Sequence, residues 1–154
     1  MQLEKKIAQQ LIKQKKTLAI AESCTGGLLS HRLTNIPGSS KFLMVTVVTY
    51  SNAAKTKFLK VPSAVLKKHG AVSRQVSELM ARGIRQHFKT DFGIGITGIA
   101  GPDGGSTAKP VGLTFIALST PTKVISKECR FKGNRLSNKR QATTQALKLL
   151  QRFL

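Results

Sequence analysis

The sequence predicts an α/β protein, a single three-layer α/β/α sandwich with a mixed, mostly parallel sheet, over residues 1–154. Three observations predict it. Helix-period segments precede, separate and follow about five apolar runs, the alternation of a layered α/β domain. One of those runs, Phe42 to Tyr50, is β-branched and apolar on both faces, as a central strand in a parallel or mixed sheet is. Hydrophobic residues make up 40% of the chain, enough for a core, and no linker, internal repeat or low-complexity segment divides it.

Gln2 to Lys15 reads as an amphipathic helix, with Leu3, Ile7, Leu11 and Ile12 on one face. Leu18 to Ala21 is a short buried strand. Glu22-Ser23-Cys24-Thr25-Gly26-Gly27 is a polar turn, and Leu28, Leu29, Leu33 and Ile36 follow at helical spacing. Thr25 is placed to cap that helix. Gly26 and Gly27 lack a Cβ, so backbone can approach a ligand closely there. Ile36 to Ser40 is a Pro/Gly turn before the Phe42–Tyr50 strand. Ser51-Asn52 can cap a short helix through Leu59, Val61-Pro62-Ser63 opens another that Gly70 ends, and Ser73 can cap a third. The third carries the apolar stripe Val76, Leu79, Met80, Gly83, Ile84 and Phe88. Phe92-Gly93-Ile94-Gly95-Ile96-Thr97 alternates bulky and small residues, a strand with one face closely approached. A glycine-rich loop runs from Gly98 to Ser106, and Lys109-Pro110 ends it. Val111 to Leu118 is another apolar strand. Val124 to Phe131 is more polar and reads as an antiparallel edge strand. Arg135 to Phe153 is a closing helix with Ala142, Ala146, Leu149, Leu150 and Phe153 on one face.

Lysines and arginines number 26 against six acids, a net charge of +20. That balance points to anionic partners: nucleic acid, a membrane surface or a phosphorylated small molecule. The basic residues are spread along the chain, Trp is absent, and the seven Phe sit mostly in apolar runs. Most of the charge therefore reads as solvated helix faces, and non-specific nucleic-acid binding at low salt follows from it without being a function. No apolar run is long enough to span a membrane, and the N-terminus has no signal-peptide core. Cys24 and Cys129 make no disulfide framework, and a reducing cytoplasm is the simplest location. His31, His69 and His87 are scattered, which gives no metal site.

Ligands of α/β sheets bind beyond the C-terminal ends of strands. Three polar turns fall there: Glu22 to Gly27, Tyr50 to Lys55, and Thr97 to Gly105. They offer a nucleophile (Ser23 or Cys24), a base (Lys55), a phenol (Tyr50) and a glycine-rich anion cradle. No His is placed for a Ser-His-Asp triad, but a Ser-Lys pair is a working variant provided the lysine can be neutral. The same residues also suit an ordinary strand-to-helix turn, a surface lysine and a buried cysteine that only packs.

Ala21-Glu22-Ser23-Cys24-Thr25-Gly26-Gly27, Val48-Thr49-Tyr50-Ser51-Asn52 with Lys55, His69-Gly70-Ala71-Val72-Ser73, and Thr97 to Gly105 resemble, in this order, the CinA C-terminal domain family. The resemblance runs from the first helix to the last. It implies an α/β/α sandwich and a nicotinamide mononucleotide (NMN) deamidase of pyridine-nucleotide recycling, giving nicotinate mononucleotide and ammonia without metal or organic cofactor. It implies Ser23 as nucleophile, with Lys55 and Tyr50 assisting, Tyr50 by orienting or tuning Lys55. The Glu22, Thr25, Gly26, Gly27 turn, Ser40, Thr97, Gly98, Ala100 and Gly101 are implied around the substrate, and Arg135 at its phosphate. It favours a homo-oligomer, a dimer first. Family members commonly carry Gly-Asp-Arg where this chain has Gly133-Asn134-Arg135, which keeps the arginine and removes a carboxylate. The companion N-terminal domain of longer members has no counterpart in these residues. The alternative is a non-enzymatic, basic nucleic-acid-binding protein linked to competence.

Overall fold

The computed structural model describes residues 2–154. Five strands form one sheet in the order β2-β1-β3-β4-β5: β1 (Leu18–Glu22), β2 (Leu43–Val48), β3 (Phe92–Gly98), β4 (Leu113–Ser119) and β5 (Val124–Arg130). β2, β1 and β3 are parallel, β4 pairs antiparallel with β3, and β5 antiparallel with β4. The sheet is thus mixed, with only β4 reversed. The helices are α1 (Gln2–Gln14), α2 (Leu28–Thr34), α3 (Asn52–Leu59), α4 (Ser63–His69), α5 (Arg74–Phe88) and α6 (Arg135–Gln151).

The alternation along β1 divides the core in two. Leu18 and Ile20 pack with Ile7 and Leu11 of α1, Leu29 and Leu33 of α2, and Leu147 and Leu150 of α6. Ala19 and Ala21 face the opposite layer, with Leu59 of α3, Leu66 of α4, and Met80 and Ile84 of α5. Each fully buried Leu or Ile contributes about 1.5–3 kcal/mol. The small residues of β3 let α5 come very close. A Cβ on Gly93 would stand 2.3 Å from the Ala81 carbonyl oxygen, and one on Gly95 2.4 Å from that of Ser77. Ser51 and Ser73 cap α3 and α5 as predicted, accepting from the N–H groups of Ala54 and Val76.

Two expectations are corrected. The β-branched run of residues 42–50 is not a central strand: β2 lies at the sheet edge and alternates between half-buried and exposed, with Met44 46% and Val48 48% exposed. Only one of its faces is covered, by the layer that packs Val45 and Val47. Val111 precedes β4 in a turn, because Gly112 (φ +90°) must bend the chain before Leu113 can pair. Among the described residues no helix is long and apolar enough to cross a membrane.

The chain leaves β1 toward β2 on one side, and leaves β3 toward β4 on the other. The reversal opens a crevice beyond the C-terminal ends of β1 and β3. Register decides what meets there. Glu22 pairs with Val48 and Ala21 with Gly95, and the Thr49 N–H extends the first ladder by donating to the Glu22 carbonyl at 2.9 Å. Ser23, the Thr49–Tyr50 step and Thr97 therefore emerge at one level.

Candidate active site

Ser23 is the first residue after β1, and its side chain is buried. Lys55 lies in α3, and the Ser51 cap turns the chain sharply enough to aim the first turn of α3 back at β1. The Lys55 side chain is 1% exposed. Its Nζ donates to Ser23 Oγ at 3.0 Å and to the Thr49 carbonyl oxygen at 2.7 Å. Burial pushes the Lys55 pKa below the ordinary lysine range, with the neighbouring Cys24 side chain opposing. The Thr49 carbonyl can hold one N–H of a neutral amine while its lone pair faces the serine hydroxyl.

Cys24 sits beside the pair, but burial pushes its thiol up to about 12. It stays protonated at working pH and is a poor nucleophile. The structure joins the lysine to the hydroxyl, not to the thiol.

Glu22 departs from expectation. Its side chain is fully buried, and its carboxylate accepts from Thr25 Oγ1 (2.5 Å), the Leu29 N–H (3.1 Å), and the Ser30 N–H (2.9 Å) and hydroxyl (2.7 Å). It closes the N-terminus of α2, the role predicted for Thr25, whose hydroxyl instead donates to it. An isolated buried carboxylate is costly, and only donors on both oxygens make it tolerable. None of that capacity is left for a ligand. Gly26 and Gly27 take positive φ values of 59° and 94°, which brings the chain into α2 directly over this carboxylate. The Gly26 N–H is engaged by the Ser23 carbonyl at 3.0 Å, so it is not free to meet a ligand.

A cavity of about 280 Å³ brings Ser23 and Lys55 together with Tyr50, Thr97, Gly98, Ala100, Gly101 and Arg135, all predicted site residues. Glu22, Thr25, Gly26, Gly27 and Ser40 do not line it. Ser40 lies exposed in a 3-10 turn before the N-terminal end of β2, whereas the cavity opens beyond the C-terminal end of that strand. Hollows of about 370 Å³ beside α5 and about 530 Å³ between α3 and α4 are larger, but neither contains a serine bonded to a lysine.

Tyr50 is 62% exposed, and its hydroxyl accepts from Arg135 Nη2 at 3.2 Å. It meets the arginine rather than Lys55, because it points outward from the end of an edge strand. Arg135 also donates through Nη1 to the Gly101 carbonyl at 2.6 Å. Thr97 is buried and donates to the Ala71 carbonyl at 2.8 Å, tying the loop before α5 to the end of β3. Gly98 cannot carry a side chain, since a Cβ there would lie 2.6 Å from Thr114 Oγ1.

Sequence reasoning missed Asn138. It is buried, donates to the Ala100 carbonyl at 3.0 Å and accepts from the Gly133 N–H at 3.0 Å, which holds the glycine-rich loop to the start of α6. A polar residue at i+3 from Arg135, among alanines on the apolar face, was the available signal. The Thr49 carbonyl had no sequence signal, being backbone. Among the described residues no three His, Cys, Asp or Glu side chains gather as a metal site would need.

The CinA C-terminal domain family description matches residues 1–154. A CinA-like protein of Syntrophotalea carbinolica is 49% identical over 148 residues, which cover 96% of this chain and 36% of that protein. The chain spans about a third of the length of the curated relatives it matches. Among solved structures, the competence/damage inducible protein CihA of Agrobacterium tumefaciens superposes with a TM-score of 0.95 at 38% identity, covering 97% of this chain and 92% of that one. A CinA superfamily protein of Escherichia coli gives 0.94 at 33% identity, covering 99% and 88%. By its fold and by the length of the match, the chain belongs to the CinA C-terminal domain family.

Proposed function

We propose that the protein is a nicotinamide-nucleotide amidohydrolase that converts NMN to nicotinate mononucleotide and ammonia. The observation that carries the proposal is the buried Lys55 amine at 3.0 Å from Ser23 Oγ, at the mouth of the switch-point crevice. A lysine whose pKa is lowered by burial can serve as a general base, and a serine beside it is then an activated nucleophile. Arg135 and the Thr97–Gly101 backbone on the same cavity suit a phosphorylated substrate.

Neutral Lys55 takes the proton of Ser23 as Oγ forms a bond to the carboxamide carbon. Free N–H groups of the turn after β1 stabilise the oxyanion. Lys55 then returns the proton to the amide nitrogen, the C–N bond breaks, and ammonia leaves. Water, deprotonated by Lys55, attacks the resulting ester, and Ser23 is regenerated as the carboxylate product departs.

The test is ammonia release from NMN by the purified protein. Turnover is expected, and Ser23→Ala is expected to abolish it while leaving the circular dichroism spectrum unchanged. Cys24→Ala is expected to keep most activity. Absence of turnover, with a salt-sensitive and sequence-blind shift of DNA, would favour the reading of a basic nucleic-acid-binding protein, for which the net charge of +20 speaks.

A further inference from the structure

The chain has six side-chain carboxylates, and neighbours hold five of them. Arg32 holds Glu4 at 2.7 Å, α2 holds Glu22, Ser126 holds Glu78 at 2.6 Å, Lys16 and Thr17 hold Asp91, and Arg130 holds Glu128 at 2.8 Å. The sixth is Asp103. It is exposed, makes no hydrogen bond or ion pair among the described residues, and lines the same cavity as Ser23, Lys55 and Arg135. In a chain with 26 lysines and arginines, the one side-chain carboxylate without a partner among the described residues stands at the mouth of the candidate site.

Arg135 lines that mouth too, but its donors are turned to Gly101 and Tyr50, not to Asp103. The cavity therefore presents a cation and an anion that do not neutralise each other. Such a mouth is complementary to a ligand that carries both charges apart. N-ribosylated nicotinamide phosphates are of this kind: the ring nitrogen bears a fixed positive charge and the phosphate is negative. A carboxylate facing the ring attracts the cationic form and gains nothing from a neutral one.

Resting on the deamidase reading above, we propose that Asp103 is a specificity-determining residue that selects a cationic pyridinium ring over a neutral ring of the same shape. The comparison ligand is reduced NMN, which keeps the ribose, phosphate and carboxamide but has an uncharged dihydropyridine ring. Binding of both ligands is measured by calorimetry in a Ser23→Ala background, where no turnover intrudes, with and without Asp103→Asn. The expected result is that Asp103→Asn weakens NMN roughly three- to fivefold, the range of a solvent-accessible ion pair, and leaves reduced NMN unchanged. Asp103→Glu, which keeps the charge, is expected to keep the preference. Equal effects on the two ligands, no effect on NMN, or a Glu variant that loses the preference as fully as Asn would overturn the inference and leave the deamidase reading standing. Failure of the Ser23→Ala protein to bind NMN at all would overturn both.

Discussion

Replacing Glu22 by Gln changes one charge and almost no volume, at a side chain that never meets solvent. In the native protein Oε1 accepts from the Ser30 N–H and hydroxyl, and Oε2 from the Leu29 N–H and the Thr25 hydroxyl. Whichever way the Gln amide turns, its NH₂ faces a backbone N–H that cannot reverse. One buried donor then loses its acceptor, at about 1–3 kcal/mol. The bonds that survive lose their charge assistance, and the first turn of α2 loses an anion worth about 0.3–1 kcal/mol. Against this, Gln avoids the desolvation of a buried charge. Because every acceptor site of the carboxylate is filled, the losses win, and the net destabilisation is about 2–4 kcal/mol. For a chain of this size the Tm should fall roughly 5–15 °C. The assay is urea unfolding at neutral pH, with the midpoint lowered and the slope m unchanged. The kcat, measured below the melting transition, should fall as well, because the turn that Glu22 anchors carries Ser23. A variant within about 0.5 kcal/mol of the wild type would refute the capping argument.

Lys55→Arg should be as inactive as Lys55→Met, since a guanidinium cannot act as base, and near-wild-type turnover by the arginine variant would exclude proton transfer at Lys55. The native fold favours the neutral amine, while the unfolded chain holds its proton up to the ordinary value of 10.5, so the contribution of Lys55 to stability is full above that value and is lost as pH falls through the lowered folded pKa. Accordingly kcat/KM should rise with pH through that lowered pKa, and Lys55→Met should melt no lower than the wild type at pH 7, with a lower melt counting against a desolvated amine. Arg135→Ala should reduce the preference for NMN over nicotinamide riboside roughly ten- to a hundredfold in kcat/KM, the worth of a hydrogen bond to a charged group, and an unchanged ratio would remove it from the phosphate. Tyr50→Phe should act in the same sense but more weakly and through KM, because its hydroxyl meets Arg135; a loss confined to kcat would return it to Lys55. Asn138→Asp sets a carboxylate against the Ala100 carbonyl, and should cost about 1–3 kcal/mol in a urea melt and raise KM more than it lowers kcat, whereas unaltered KM in a folded variant would show that the loop keeps its place without the amide.

The elements were legible because their signals are local. The bulky/small alternation of Phe92 to Ile96 announced a strand closely approached on one face, and Ser51 and Ser73 announced their helices. Ser23 and Lys55 could be singled out because each follows a candidate strand where α/β sheets bind ligands. What the local signals could not carry was the partner of each polar group. Thr25 looked able to cap the turn, and only the path of α2 over the Glu22 carboxylate decided that Glu22 caps it. The family resemblance implied Tyr50 as a helper of Lys55, yet the edge position of β2 swings the phenol out to Arg135 of α6. The β-branched run of β2 reads the same at an edge as in the centre, since covering a face depends on helices distant in sequence. Hydrophobic period and capping act over a few residues and are written along the chain. Hydrogen-bond partners, burial and the lowered pKa of a lysine depend on which distant segments the sheet register brings together, and only the folded chain settles them.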